Sequence, residues 1–141
     1  MDMCAHPNHW IGLAVLLSCA ALTVTTSQGR RKLTEAEARE LVVMALRPEA
    51  RALPKLRVDA DNAYPDRPGF YWFEATAFVP DASPVLGHFA VNQASGDVWD
   101  PVSCRKVSSA DLAKLQAELR NRLHLSERDL RRLSKVAPCK P

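Results

Sequence analysis

Residues 70–100 constrain the fold more than any other stretch of this chain. From Phe70 to Val79 the side chains alternate. Tyr71, Phe73, Ala75, Ala77 and Val79 share one face and are all apolar, while Phe70, Trp72, Glu74, Thr76 and Phe78 share the other, mixed face. A period of two predicts a strand with one side against a core. Pro80 to Pro84 links it to a second strand, Val85 to Asn92. Gln93-Ala94-Ser95-Gly96 then predicts a tight turn in which Gly96 is free to take positive φ. Asp97 to Asp100 pairs back as a third strand, and Pro101 ends it. Three consecutive antiparallel strands are stable only with an apolar layer on one side.

Helices supply that layer. Thr34-Glu35-Ala36-Glu37 is a capping box, in which hydroxyl and carboxylate each satisfy the other residue's backbone N–H. Ala38, Leu41, Val42, Ala45 and Leu46 follow at helical spacing, with Glu35, Glu37 and Glu40 near the start, Arg47 at the end and Pro48 as the stop. Glu49 to Pro54 reads as a turn, Lys55 to Ala60 as a short strand carrying Leu56, Val58 and Ala60, and Asp61 to Gly69 as a loop with two prolines. Ser108 or Ser109 caps a second helix with Leu112, Leu115, Leu119 and Leu123 on one face. Ser126-Glu127-Arg128-Asp129 caps a third, carrying Leu130, Leu133 and Val136 and closed by Pro138. The expected class is α+β: an N-terminal helix packed on a three- to four-stranded antiparallel sheet, with two C-terminal helices.

The opening helix, the long strand and the run Phe89-Ala90-Val91-Asn92-Gln93-Ala94-Ser95-Gly96-Asp97-Val98 together resemble a PepSY domain. That family ends in a strand-turn-strand reading x-V-x-V-D-A-x-T-G-E-V. Asn92 stands for its Asp, Ala94 fits directly, Ser95 stands for its Thr, and Gly96-Asp97-Val98 fits the final trio. The match spans residues 34–100, and the helical tail with its cysteine pair lies outside it. The resemblance implies an exported or membrane-associated module without catalytic residues, of a family in which some members restrain peptidases. A cystatin-like helix-on-sheet module fits the same residues.

The first thirty residues speak to location. Trp10 to Val24 is apolar and contains Ile11, Leu13, Val15, Leu16, Leu17 and Leu22. It is short and interrupted for a membrane span, which needs about 20 apolar residues, and suits the h-region of an export signal, which needs about 7 to 15. Two cleavage readings stand side by side. Leu16-Leu17-Ser18-Cys19 resembles a lipobox that would lipidate Cys19, and Ser18-Cys19-Ala20 offers small residues to an ordinary signal peptidase. Met1 to His9 has no Lys or Arg, whereas Arg30-Arg31-Lys32 follows the apolar stretch, which favours the alternative of an anchor at residues 10–26. The expected organisation is a signal at 1–21, a linker at 22–32 and one domain at 33–141, exported to the periplasm or outer envelope.

Export makes a disulfide between Cys104 and Cys139 the structural expectation. The alternative is a reactive Cys104 thiol, activated by Arg105 and Lys106. Charge is uneven. From Leu33 to Cys104 there are six Lys/Arg against eleven Asp/Glu, a net of −5, and from Arg105 to Pro141 ten against four, a net of +6. The basic tail is expected to pack beside the acidic half of its own domain, with an anionic envelope partner as the sharper reading. Nucleic acid is not an expected partner, because the Arg residues are not interleaved with aromatics.

No constellation of catalytic residues stands out. His88 could act as a base with Glu74 on the neighbouring strand as its orienter, but a satisfied histidine is the commoner case. Cys4, His6 and His9 have a spacing that suits a metal, yet lie in the segment expected to be removed, so neither a metal nor a cofactor is expected. Asp97 and Asp100 suit turn duties better than paired-carboxylate chemistry. The candidate binding residues are Phe70, Trp72, Phe78 and Trp99 on the mixed face, unless the leucine stripes of the C-terminal helices cover it. The function expected is a non-catalytic, exported binding or inhibitory module acting on another envelope protein, such as a peptidase. The alternatives are a lipoprotein with a structural role, held by Cys19, and a small thiol- or His-dependent enzyme.

Overall fold

The computed structural model describes residues 32–64 and 67–139. Cys4, His6, His9, the signal segment, the linker up to residue 31, the Cys19 lipidation site and the anchor at 10–26 lie outside them. The element order is α1 (Glu35–Ala45), α2 (Pro48–Arg51), β1 (Arg57–Ala60), β2 (Phe70–Thr76), β3 (Val85–Asn92), β4 (Val98–Asp100), β5 (Arg105–Lys106), α3 (Ala110–Arg122) and α4 (Glu127–Leu133). The strands form one antiparallel sheet in the order β1-β2-β3-β4-β5, each paired with its neighbour in sequence. The chain is therefore α+β, and no helix among the described residues is long and apolar enough to cross a membrane.

α1 begins where its capping box predicts. Thr34 Oγ1 accepts from the Glu37 amide at 3.3 Å, and Glu37 Oε2 accepts from the Thr34 amide at 2.8 Å. Ala38, Leu41 and Val42 are fully buried and face the apolar side of the sheet, where Val58, Phe73, Ala75, Val91 and Val98 meet them. Each fully buried Leu, Val or Phe contributes about 1.5–3 kcal/mol, so this face dominates stability. Tyr71 lies in the same layer and donates its hydroxyl to the Leu33 carbonyl at 3.0 Å, tying the entrance of α1 to β2.

Four expectations are corrected. The sheet has five strands, because Arg105–Lys106 pairs with Trp99 and Asp100; two basic residues carry no alternation that would predict a strand. β2 ends at Thr76 and not at Val79. The register shifts between Ala75 and Thr76, and the next amides leave the ladder: Ala77 donates to the Pro84 carbonyl and Phe78 to Pro54. Pro48 opens the short helix α2, at the position where a missing N–H costs nothing; α1 has already ended at Ala45. α4 ends at Leu133, so Val136 is exposed rather than part of its stripe.

The fifth difference decides where a partner could bind. The leucine stripe of α3 does not cover the mixed face of the sheet. Leu112, Leu119 and Leu123 pack with α1 in the main core. Ser109 caps α3 by accepting from the Leu112 amide at 3.2 Å, and its hydroxyl donates to the Met44 carbonyl at the end of α1. Gln116 donates to the Gly96 carbonyl, and Arg120 Nε to the Ser95 carbonyl, each at 2.8 Å. α3 is thus held between α1 and the β3–β4 turn. It closes in a Schellman arrangement: His124 takes φ of +54°, and the Leu125 amide reaches the Arg120 carbonyl.

The β3–β4 turn is organised by Asn92. Its side-chain oxygen accepts from the Ala94 and Ser95 amides, and the Gly96 amide returns to its carbonyl. Gly96 takes φ of +71°, with Leu41 and Leu33 so close that a Cβ there would stand 3.3 and 3.4 Å from them.

The charge asymmetry resolves partly inside the domain. Lys106 and Arg120 from the basic tail meet Asp97, and Arg122 meets Glu37. One pair runs the other way, from Arg51 of the acidic half to Asp111. Asp97 is a buried structural ion and Asp100 a turn residue, accepting from the Val102 and Ser103 amides.

Candidate functional site: the open face of the sheet

The second face of the sheet is built from alternate residues of each strand. Trp72 lies opposite Ala90, Ala90 opposite Trp99, and Trp99 opposite Lys106. One step along, Asp59 lies opposite Glu74, and Glu74 opposite His88. Among the described residues no helix packs on these rows; what covers them is the C-terminal tail and the loop after β1.

The tail takes one half. Ala137 packs on Phe70, Ala90 and Trp99, all buried. Arg67 donates to the Pro138 carbonyl, and Cys139 is bonded to Cys104, with a sequence separation of 35. The disulfide thus fastens the tail beside β5, where Lys106 also lies 5.3 Å from the centre of the Trp99 ring. Bonded to Cys139, Cys104 has no thiol with which to act as a nucleophile.

The loop takes part of the other half. Tyr64 stacks on Trp72 with ring centres 5.0 Å apart and planes 8° from parallel, and meets His88 edge-on at 5.5 Å. His88 Nδ1 donates to Asp61 Oδ2 at 2.7 Å, while Glu74 Oε2 lies 3.9 Å away. The residue that orients the imidazole is therefore Asp61, and the expectation of Glu74 in that role is corrected. Asp61 is suited to it because its carboxylate is only 4% exposed and already ordered. Its other oxygen accepts from the Ala63 amide, and its own amide donates to the Trp72 carbonyl. Nothing in the sequence signals this partner: Asp61 stands 27 residues before His88, and the loop's path alone joins them.

The four aromatic candidates are placed differently from one another. Phe70 and Trp99 lie under the tail and are buried. Phe78 is 52% exposed, beyond the end of β2, with the Lys55 ammonium 5.4 Å from its ring centre. Trp72 is half-buried and joins Tyr64, His88 and Glu74 into one patch. The indole N–H groups of Trp72 and Trp99 are buried without an acceptor among the described residues, an arrangement that costs about 1–3 kcal/mol for each group. At the start of β2, on the side of the sheet that faces α1, Glu35, Ala60, Asp61, Tyr71 and Phe73 contribute to the wall of a cleft of about 160 Å³.

The patch holds an oriented imidazole. No serine, threonine or cysteine is hydrogen-bonded to it among the described residues. What it offers is a flat aromatic surface bordered by carboxylates.

The chain is similar to a solved structure. One chain of a type VI secretion system effector–immunity complex from Pseudomonas protegens superposes with a TM-score of 0.58 at 27% identity. The alignment covers 78% of the present chain and 92% of that chain. No family model matches the sequence, and no curated protein matches it.

Proposed function

We propose that this protein is a non-catalytic binding and inhibitory module: the immunity-type partner of a secreted effector, working in the cell envelope. The observation that carries this reading is the likeness, over nearly the whole of the other chain, to a member of an effector–immunity complex. The PepSY-like reading of residues 34–100 has the same sense, since some modules of that family restrain peptidases. The export signal read at 1–21 and the Cys104–Cys139 bond both suit the periplasm. Attachment through Cys19 would make it a lipoprotein without changing the inhibitory role.

The test is co-expression with each secreted effector domain encoded in the same genome. The expected result is a stable complex with one of them and loss of that effector's toxicity at equimolar protein. Failure of the folded, exported protein to bind or neutralise any of them would overturn the reading.

A second reading, a His-dependent enzyme, draws on the 2.7 Å His88–Asp61 contact. A turnover that disappears in His88→Ala, with folding intact, would favour it. Inhibition of a partner unchanged by that substitution would count against it.

A further inference from the structure

We propose that the Tyr64–Trp72 half of the open sheet face is the docking surface, and that it takes a Lys/Arg-bearing segment of the partner protein. The inference rests on the inhibitory reading for the partner's biological role, but its chemistry is independent of it.

The sheet face is divided by the tail. Over Phe70 and Trp99, Ala137 and Pro138 are fastened by the disulfide and by Arg67, so that half is already occupied. Among the described residues, the half from Trp72 towards β1 carries only the Tyr64 loop. Its charge is mixed, with more carboxylates than cations. Asp59 and Glu74 have side chains 53% and 37% exposed, and the ordered Asp61 carboxylate lies behind them. Arg57, 70% exposed and 3.1 Å from Asp59, is the arginine among them. His88 is already engaged with Asp61. Carboxylates therefore outnumber cations on this patch, and a basic segment is its electrostatic complement.

The aromatic pair adds what charge alone lacks. A guanidinium or ammonium over a Trp or Tyr face gains about 0.5–2 kcal/mol, more as water is excluded. Trp and Tyr are also the side chains that most often anchor protein interfaces, since they bury area with few rotatable bonds. Glu74 and Asp59 stand beside that face on neighbouring strands, at the distance of a directly opposed pair. A partner Arg stacked on Tyr64 or Trp72 could reach one of them with its charged end.

The competing surface is the outer face of α3 and α4. It presents Lys114, Arg128 and Arg131, all exposed, with no aromatic side chain among the exposed residues of either helix. Such a face suits diffuse attraction to an acidic partner rather than an anchored interface.

Two titrations test the proposal. In the first, the full folded protein is titrated with a heptapeptide alternating Gly and Arg, and separately with one alternating Gly and Glu, while NMR follows the Trp72 indole and the amides of Tyr64, Glu74 and His88. The Arg peptide is expected to perturb these signals. Its binding should weaken at least about tenfold in the Asp59→Lys/Glu74→Lys variant, and weaken as salt is raised. No perturbation at millimolar peptide, or perturbation confined to other residues, overturns the proposal. Binding of the Glu peptide alone, on α3 and α4, overturns it in favour of the basic face.

In the second, the same double variant is measured against the neutralised effector, with Arg128→Glu as control and circular dichroism to confirm folding. A loss of at least about tenfold in affinity in the double variant alone supports the docking surface. Full affinity in the double variant removes the docking surface and leaves the inhibitory reading standing. Conversely, Arg-peptide binding at the patch with no effector neutralised removes the inhibitory reading and leaves the surface.

Discussion

Arg120 closes on Asp97 from the far side of the β3–β4 turn: Nη2 lies 2.9 Å from Oδ1, while its Nε donates to the Ser95 carbonyl. One side chain thus fastens α3 to the turn and pairs with a carboxylate whose side chain is 11% exposed. Lys106 supplies the second cation from β5, at 2.9 Å. Replacing Arg120 by Met removes both contacts and leaves Lys106 as the remaining partner. The expected cost is about 2 kcal/mol, below that of a buried ion left wholly unpaired. Urea denaturation measures it, and a loss smaller than about 0.5 kcal/mol would show that Lys106 satisfies Asp97 alone.

The Cys104–Cys139 bond holds the tail over Phe70 and Trp99. By the loop-entropy argument, Cys104→Ser with Cys139→Ser should cost about 4 kcal/mol. Tail release should also expose Trp99, so tryptophan emission should shift to the red in the folded variant. Unchanged emission under native conditions would mean that Ala137 and Arg67 hold the tail without the bond.

Two glycines with positive φ should respond differently to alanine. At Gly96 the new methyl meets Leu41 and Leu33, in addition to backbone strain; at Gly69, φ +90°, nothing lies within 4 Å. Gly96→Ala should therefore cost about 2–4 kcal/mol, and Gly69→Ala about 1–2 kcal/mol. Thermal melts of the two variants compare them directly, and equal losses would show that backbone strain alone sets both.

Glu37 predicts an acid dependence. Burial pushes its pKa up, but the hydrogen bonds with the Thr34 backbone and hydroxyl, together with the Arg122 guanidinium, outweigh burial and lower it. A depressed folded value favours the carboxylate in the folded state. Its stabilisation is complete above the unfolded value and is lost as the pH falls through the folded one. The gap in stability between wild type and Glu37→Gln should be constant near neutrality and shrink on acidification. A gap that widens in acid would reverse the sign.

The local grammar of the sequence was readable because neighbouring residues make it. The Thr34 and Ser126 capping boxes, the alternation along Phe70–Thr76 and the Asn92–Gly96 turn are all built from contacts within a few residues. The leucine stripe of α3 was equally plain, but a stripe specifies that a face is buried and not against what. Placing it on α1 instead of on the sheet's second face is what leaves Trp72 under the Tyr64 loop and not under a helix.

The open patch joins the loop at Asp61 and Tyr64 to β2 and β3. Its members are named in the sequence only as a tryptophan on a mixed face, a strand histidine and a loop aspartate. The sequence alone determined the α+β class, the helix starts, the strand faces and the chemistry that pairs Cys104 with Cys139 once oxidised, because these depend on period, capping and redox environment. Only the tertiary structure decided which layer α3 joins, which half of the sheet the tail closes, and that Asp61 rather than Glu74 orients His88. Those outcomes depend on the path of loops and on competition among several apolar faces for one core, and neither is encoded in the spacing of adjacent residues.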